Sequence, residues 1–253
     1  MLKNPLHFSF IILVFYSTSN STSSIRRFIT SFGDKKLSEI AVSVPGSTSL
    51  LREYDLDFCC GGSDTLSNAA AEKGLNLAEI ETRLTELQNS KAENPEEYWV
   101  NATYPEIIDH ILVRYHQRHR EQLQELIVLA DRVESVHGDR EDCPMGIAAE
   151  LRNVYEDLSN HMMKEEHVLF PMIKAGNYMM AQMPIRMMEM EHAEHGEHLE
   201  VLKSLTNNMT PPADACNTWL ALYSGIQEFI DDLMMHIHRE NNILFPRVIA
   251  ENH

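Results

Sequence analysis

The sequence is poor in several features that define large classes of proteins. Only four of its 253 residues are cysteines, and their scattered positions are not those of a disulfide-stapled secreted domain. Lysine and arginine number 21 against 38 aspartates and glutamates, so a net charge of −17 should repel phosphate backbones. No segment shows the alternation of β-strands or a glycine-rich phosphate loop. We therefore expect neither a nucleic-acid partner nor a nucleotide-binding domain.

Long apolar runs are also scarce, and the run FSFIILVFY lies at the N-terminus, from Phe8 to Tyr16. It is too short to cross a bilayer, which takes about 20 residues, so we expect no membrane partner. With Lys3 before it and a serine-rich stretch after it, the segment resembles a signal peptide. The alternative, which we favour, is a dispensable leader or a start codon placed too far upstream. We assign residues 1–33 to this leader.

The remaining sequence predicts an all-α protein of two domains. Residues 34–92 alternate short helical patterns with a glycine-containing turn and should form a small helical domain. Residues 93–102 are polar and predict a flexible linker. Residues 103–253 begin at a T-x-x-E capping box and predict an up-down-up-down four-helix bundle. The helical patterns of this bundle cover about residues 103–138, 146–174, 184–207 and 214–250.

An internal repeat places histidines and glutamates at matching positions in the bundle. HMMKEEHVLFPMI from His161 recurs 75 residues later as HIHRENNILFPRV from His236, which aligns Glu165 with Glu240. Residues at i and i+4 share a helix face, so each histidine projects together with its glutamate. Two buried carboxylates without partners would each cost several kcal/mol, and a bound cation would compensate for them. The repeat therefore predicts a metal site.

A second repeated spacing, H-x-x-H, supplies further candidate ligands at His116 and His119 and again at His192 and His195. Helical phase does not decide which histidine of each pair faces the site. Either choice gives four imidazoles and two carboxylates, a mixed set that suits two iron ions bridged by the carboxylates. The other histidines of these helices are interpreted as surface or outer groups, namely His110, His167, His198 and His238.

The small domain carries its own motif, DFCCGG, with the adjacent cysteines Cys59 and Cys60. Adjacent cysteines rarely form a disulfide, because the bond requires a strained turn. At a turn that opens the next helix, the two thiols could instead be thiolates favoured by the helix N-terminus. The alternative is a buried turn of small residues, and the local pattern does not decide between the two.

With these motifs in hand, the sequence resembles the iron-sulfur cluster repair di-iron proteins, which join a small cysteine-bearing domain to a hemerythrin-like bundle. The resemblance covers about residues 37–250. It is carried by LSEIAVSVPGSTSLLREYDLDFCCGG, IIDHILVRYHQRHREQL, SNHMMKEEHVLFPMIK, MEMEHAEHGEHLEV and IDDLMMHIHRENNILFPR.

The resemblance implies a cytoplasmic homodimer that repairs iron-sulfur clusters damaged by nitric oxide or peroxide, by supplying iron. It implies two iron ions per chain, bridged by oxo or hydroxo groups and by carboxylates. Alternatives are a nitric oxide or peroxide reductase at the same irons, or a sensor or carrier of oxygen or nitric oxide. The family's cysteine pair falls on Cys59 and Cys60, and its metal ligands fall on His116, His161, Glu165, His192, His236 and Glu240.

Overall fold

The structure, a computed structural model, describes residues 31–90 and 92–251. Within these ranges all regular elements are helices, nine in number, and the prediction of an all-α protein is confirmed. None of these helices is long and apolar enough to cross a membrane. Most of the predicted leader lies outside the described residues.

Short helices build the N-terminal part of the structure. The longest of them, Leu77–Asn89, buries Ile80 and Leu84 completely. Phe32 is also buried, with 1% of its surface exposed, although it lies within the predicted leader. The packed structure therefore begins before the predicted leader boundary at residue 33. The helices are α1 (Leu37–Ser43), α2 (Ser47–Glu53), α3 (Leu66–Glu72), α4 (Leu77–Asn89) and α5 (Pro95–Asn101).

Helix α5 occupies the segment for which the sequence predicts a flexible linker. Asn94 caps it, and Pro95 stands in its first turn, where a missing N–H costs nothing. Its Glu96 is buried and forms an ion pair with the buried Arg239. Trp99 stacks on the same guanidinium, whose carbon lies 4.8 Å from the ring centroid. Residues distant in sequence fix this segment to the bundle. The local sequence pattern gives no sign of these contacts.

Four long helices form the bundle, and three of them contain one π-helical turn. The predicted capping box is present, since Thr103 and Glu106 bond each other's backbone N–H. Helix α8 begins earlier than predicted, so that Pro184 lies inside it. The helices are α6 (Tyr104–His110, π turn Ile111–His116, Gln117–His137), α7 (Ile147–Lys164, π turn Glu165–Leu169, Phe170–Lys174), α8 (Tyr178–Leu205) and α9 (Asn217–Arg239, π turn Glu240–Leu244, Phe245–Ala250).

The bundle has two separate apolar cores. One is shared with the N-terminal helices and contains Trp219 and Phe229. The other closes the opposite end around Phe170 and Phe245, the aromatic residues of the repeated Leu-Phe-Pro motif. The repeated histidines and glutamates form a buried polar layer between these cores.

Candidate metal centre

The three π-helical turns coincide with candidate ligands. Two of them begin at Glu165 and Glu240, the repeated glutamates, and the third ends at His116. A π turn inserts one extra residue into a helix and turns the following side chains, and such turns are frequent at functional sites. The periodicity of apolar residues does not reveal them, so they were not predicted.

The structure brings the six side chains selected by the resemblance together. They form two groups of four, each with its ligand atoms within 4.8 Å of one another. One group contains His116 and His236, and the other contains His161 and His192. Glu165 and Glu240 belong to both groups. All six residues are at most 1% exposed.

The Nε2 atoms of each histidine pair lie at the separation expected of two ligands of one metal ion. The Nε2 atoms are 3.2 Å apart in the His116–His236 pair and 3.0 Å apart in the His161–His192 pair. Metal bonds of about 2.1 Å at right angles hold neighbouring ligand atoms about 3.0 Å apart. Both oxygens of Glu165 and both of Glu240 are buried without a hydrogen-bond partner. Imidazole nitrogens lie 3.1–3.5 Å from these oxygens, and a metal ion bound among them would compensate the two buried charges.

The two glutamates also perturb each other's ionisation. Burial and the negative charge of Glu240 raise the pKa of Glu165 well above its usual value. Burial alone would raise the pKa of Glu240 as well, but His236 and His192 outweigh this effect and lower it. Two facing carboxylates therefore do not both ionise readily without a nearby positive charge, which a metal ion would supply.

Three of the four imidazoles are oriented by hydrogen bonds from their Nδ1 atoms to residues outside the cluster, which we call the outer partners. His116 donates to Glu166 over 2.8 Å, and His161 donates to Glu191 over 2.9 Å. These carboxylates can only accept, so each Nε2 is left free to bind a metal. The hydrogen bond from His161 is the main cause that lowers the pKa of Glu191 to about 2. The hydrogen bond from His116 has the same effect on Glu166.

The internal repeat explains an asymmetry among these outer partners. Asn241, the repeat counterpart of Glu166, accepts from His192 Nδ1 over 2.8 Å. The counterpart of Glu191 is Tyr115, which instead stacks on His236 at a centroid distance of 5.2 Å. His236 Nδ1 therefore has no hydrogen-bond partner. Sequence reasoning missed all of these outer residues, although applying the repeat offset to Glu166 would have pointed to Asn241.

The second histidine of each H-x-x-H pair lies beside the cluster rather than in it. His119 and His195 are buried, and neither belongs to a group of converging ligand atoms. Their rings lie 5.3 Å from His236 and 4.9 Å from His161, measured between centroids. Burial is the largest cause that lowers the pKa of His195 to about 2, so this ring is neutral. Among the other histidines, His238 is fully buried, and its Nε2 lies 3.5 Å from a carboxylate oxygen of Glu96.

The DFCCGG turn lies against the helices that carry the ligands. Cys60 Sγ donates to the backbone carbonyl of His192 over 3.2 Å. Asn241, which accepts from His192, also donates to the carbonyl of Cys59 over 3.0 Å. The conformation of the turn requires a glycine at position 62, since a Cβ there would lie 2.5 Å from the carbonyl oxygen of Phe58. The small domain thus contacts the candidate site through its cysteine turn.

Cys59 does not fit the expectation of a thiolate at a helix N-terminus. Cys59 is 4% exposed, and Cys60 is half-buried. The hydrogen bond with Cys60, burial and the neighbouring charge of Asp57 raise the pKa of Cys59 well above its usual value. Cys59 is therefore a thiol at neutral pH unless a cation displaces its proton.

Comparisons with known proteins agree with this architecture. Residues 107–248 match the family described as the hemerythrin HHE cation binding domain, and residues 33–88 match a domain of unknown function, DUF542. A probable iron-sulfur cluster repair protein from Haemophilus influenzae is 68% identical over 87% of this chain and 99% of its own length. The chain belongs to the iron-sulfur cluster repair protein family.

Two further members of this repair family show how far the similarity extends. The iron-sulfur cluster repair protein YtfE of Musicola paradisiaca is 55% identical over 86% of this chain and 97% of its own length. YtfE of Citrobacter koseri is also 55% identical, over 87% of this chain and 99% of its own length. The shared region therefore includes both the cysteine-bearing domain and the cation-binding bundle.

Proposed function

We propose that this protein repairs damaged iron-sulfur clusters by supplying iron from a two-iron centre in its bundle. The observation that carries the proposal is the buried cluster in which two carboxylates, without hydrogen-bond partners, are shared by two histidine pairs. Imidazole and carboxylate together suit iron, whereas thiolate would be expected in a structural zinc site. The names of the relatives, which are iron-sulfur cluster repair proteins, connect such a centre with repair.

Each residue has a role in this proposal. His116 and His236 would hold one iron, His161 and His192 the other, and Glu165 and Glu240 would bridge them. The ions would supply the cargo for repair, together with Lewis acidity at the site. The outer carboxylates Glu166 and Glu191 keep the imidazoles in the orientation and tautomer that bind a metal.

The contact between the cysteine turn and the ligand helix favours repair over oxygen transport. A reversible carrier needs only the bundle, whereas here Cys60 and Asn241 link the small domain directly to His192. A cytoplasmic homodimer remains an expectation from the resemblance, and the mass of the full chain in solution would test its dimeric part.

The test follows labelled iron from the protein to a damaged cluster enzyme. The full chain is loaded with iron-57 and mixed with a cluster enzyme that nitric oxide has inactivated. We expect iron-57 to appear in the recovered cluster and the enzyme's activity to return. Glu165→Ala should abolish both effects, while Glu156→Ala, an exposed glutamate on the same helix, should abolish neither. Recovery without transfer of the label would contradict iron supply. Catalytic consumption of nitric oxide with an added reductant would favour the reductase instead.

A further inference from the structure

A second group of possible metal ligands lies outside the histidine and glutamate cluster. Asp57, Cys59 and Cys60 place one ligand atom each within 4.8 Å of one another. The two Sγ atoms are 3.8 Å apart. Two metal–sulfur bonds of about 2.3 Å in a tetrahedral arrangement hold their sulfur atoms at about this distance. We propose that this triad binds one thiophilic divalent cation, such as Fe²⁺, at a site separate from the bundle centre.

The turn is built so that its ligand atoms are held in place. Asp57 accepts from the backbone N–H groups of Cys59, Cys60 and Gly61 over 2.9–3.0 Å. The Sγ of Cys59 also donates to Asp57 Oδ1 over 3.2 Å, and a metal ion that replaces this thiol proton would free that acceptor position. The side chain of Asp57 is therefore fixed toward the thiols instead of moving freely in solvent. The same three bonds would form in a purely structural turn, so the proposal depends on the sulfur atoms as well.

A cavity of about 410 Å³ gives a cation access to the triad. It is lined by all three proposed ligands and by the thioether-bearing Met234. Lys73 and Lys203 also line it, but both are paired with Asp55. Their charges are thus partly compensated and do not exclude a cation from the thiol end of the cavity.

A bound cation would compensate the negative charge that the triad carries when its thiols are ionised. The hydrogen bond with Cys60, burial and the charge of Asp57 raise the pKa of Cys59, and a bound cation would offset the charge of a thiolate there. Binding replaces the two thiol protons by the metal and releases them to solvent, so two metal–sulfur bonds form and two S–H bonds break. No oxidant or reductant is needed, since the sulfur atoms keep their oxidation state. Binding should therefore strengthen as the pH rises.

The position of the triad suggests a role as a transfer site, which rests on the proposed repair function. Cys60 Sγ contacts the backbone carbonyl of His192, and Asn241 joins the Nδ1 of that histidine to the carbonyl of Cys59. Displacing the turn would therefore disturb a ligand of the bundle centre. Metal binding by the triad itself does not depend on that role.

The test is a titration of the metal-free full chain with Co²⁺ under anaerobic, reducing conditions. Thiolate bound to Co²⁺ absorbs intensely in the near ultraviolet, whereas histidine and carboxylate ligands do not, so the signal is independent of the bundle centre. We expect this band in the parent. It should persist in the matched control Cys143→Ser/Cys216→Ser and disappear in Cys59→Ser/Cys60→Ser.

Several results would overturn the proposal. Absence of the band in the parent does so alone, whatever the variants show. Persistence of the band in Cys59→Ser/Cys60→Ser means that other groups bind the metal. If that variant does not fold, alkylation of Cys60 in the Cys216→Ser protein replaces it, and a band that survives alkylation refutes the site. Loss of iron transfer with an intact band would instead count against the proposed function alone.

Discussion

The buried ion pair between Glu96 and Arg239 is expected to be a main support of the contact between helix α5 and the bundle. Glu96 is 5% exposed and Arg239 is 3% exposed, and a second hydrogen bond joins Nη2 to Oε1 over 3.3 Å. Glu96→Ala would leave the guanidinium buried without its carboxylate. Removing one partner of a buried pair costs about 3–5 kcal/mol, which would lower the melting temperature by roughly 6–20 °C in a chain of this size.

Thermal and denaturant unfolding of the metal-free protein would measure this loss. The matched control is Asp131→Ala, which breaks a pair with Arg152 whose side chains are 51% and 50% exposed, and should cost at most about 1 kcal/mol. Glu96→Leu/Arg239→Met removes both charges and should be less destabilised than Glu96→Ala, because no buried charge is left alone.

The dependence on pH gives an additional check of the same pair. Burial would raise the pKa of Glu96, but the neighbouring His238 and the hydrogen-bonded Arg239 outweigh it and lower the pKa below its ordinary value of 4.5. The pair should therefore contribute fully above about pH 4.5 and lose its contribution as the pH falls through the lowered pKa. A difference between parent and Glu96→Ala below about 1 kcal/mol at neutral pH, or one that grows on acidification, would refute the reasoning.

Two further predictions concern the outer partners and the start of the fold. Glu191→Gln should lower metal affinity about 10–100-fold in chelator competition, whereas the exposed Glu189→Gln should not, and equal affinities would contradict a role for Glu191. Removing residues 1–30 should leave the melting temperature unchanged, while Phe32→Ala should cost about 3–5 kcal/mol of unfolding free energy. Unaltered stability in Phe32→Ala would show that this side chain is not part of the core.

The sequence was most informative where a pattern repeats. The four long helices follow from apolar periodicity and from the capping box of Thr103 and Glu106, and the structure shows both. The H-x-x-x-E repeat identified His161, Glu165, His236 and Glu240, which the structure brings together. These features are local, since spacing within one helix determines which side chains share a face.

Features that depend on contacts between distant segments were not predicted. Helix α5 was predicted as a flexible linker because its segment is polar, whereas its Glu96 pairs with Arg239, which lies 143 residues away. Helical phase left His116 and His119 equivalent, and it was the resemblance that selected His116, which the packing of the helices places in the cluster. The three π turns change the direction of ligands without a change in composition. The thiol state of Cys59 depends on Asp57 and burial, so the turn motif alone could not settle it.

The central claim is that six residues of the bundle hold two irons, and anomalous diffraction at the iron absorption edge tests it most directly. Crystals of the iron-loaded full chain should show two strong peaks in the bundle, one between His116 and His236 and one between His161 and His192. Both peaks should contact Glu165 and Glu240. A single peak, or peaks away from these glutamates, would contradict the account.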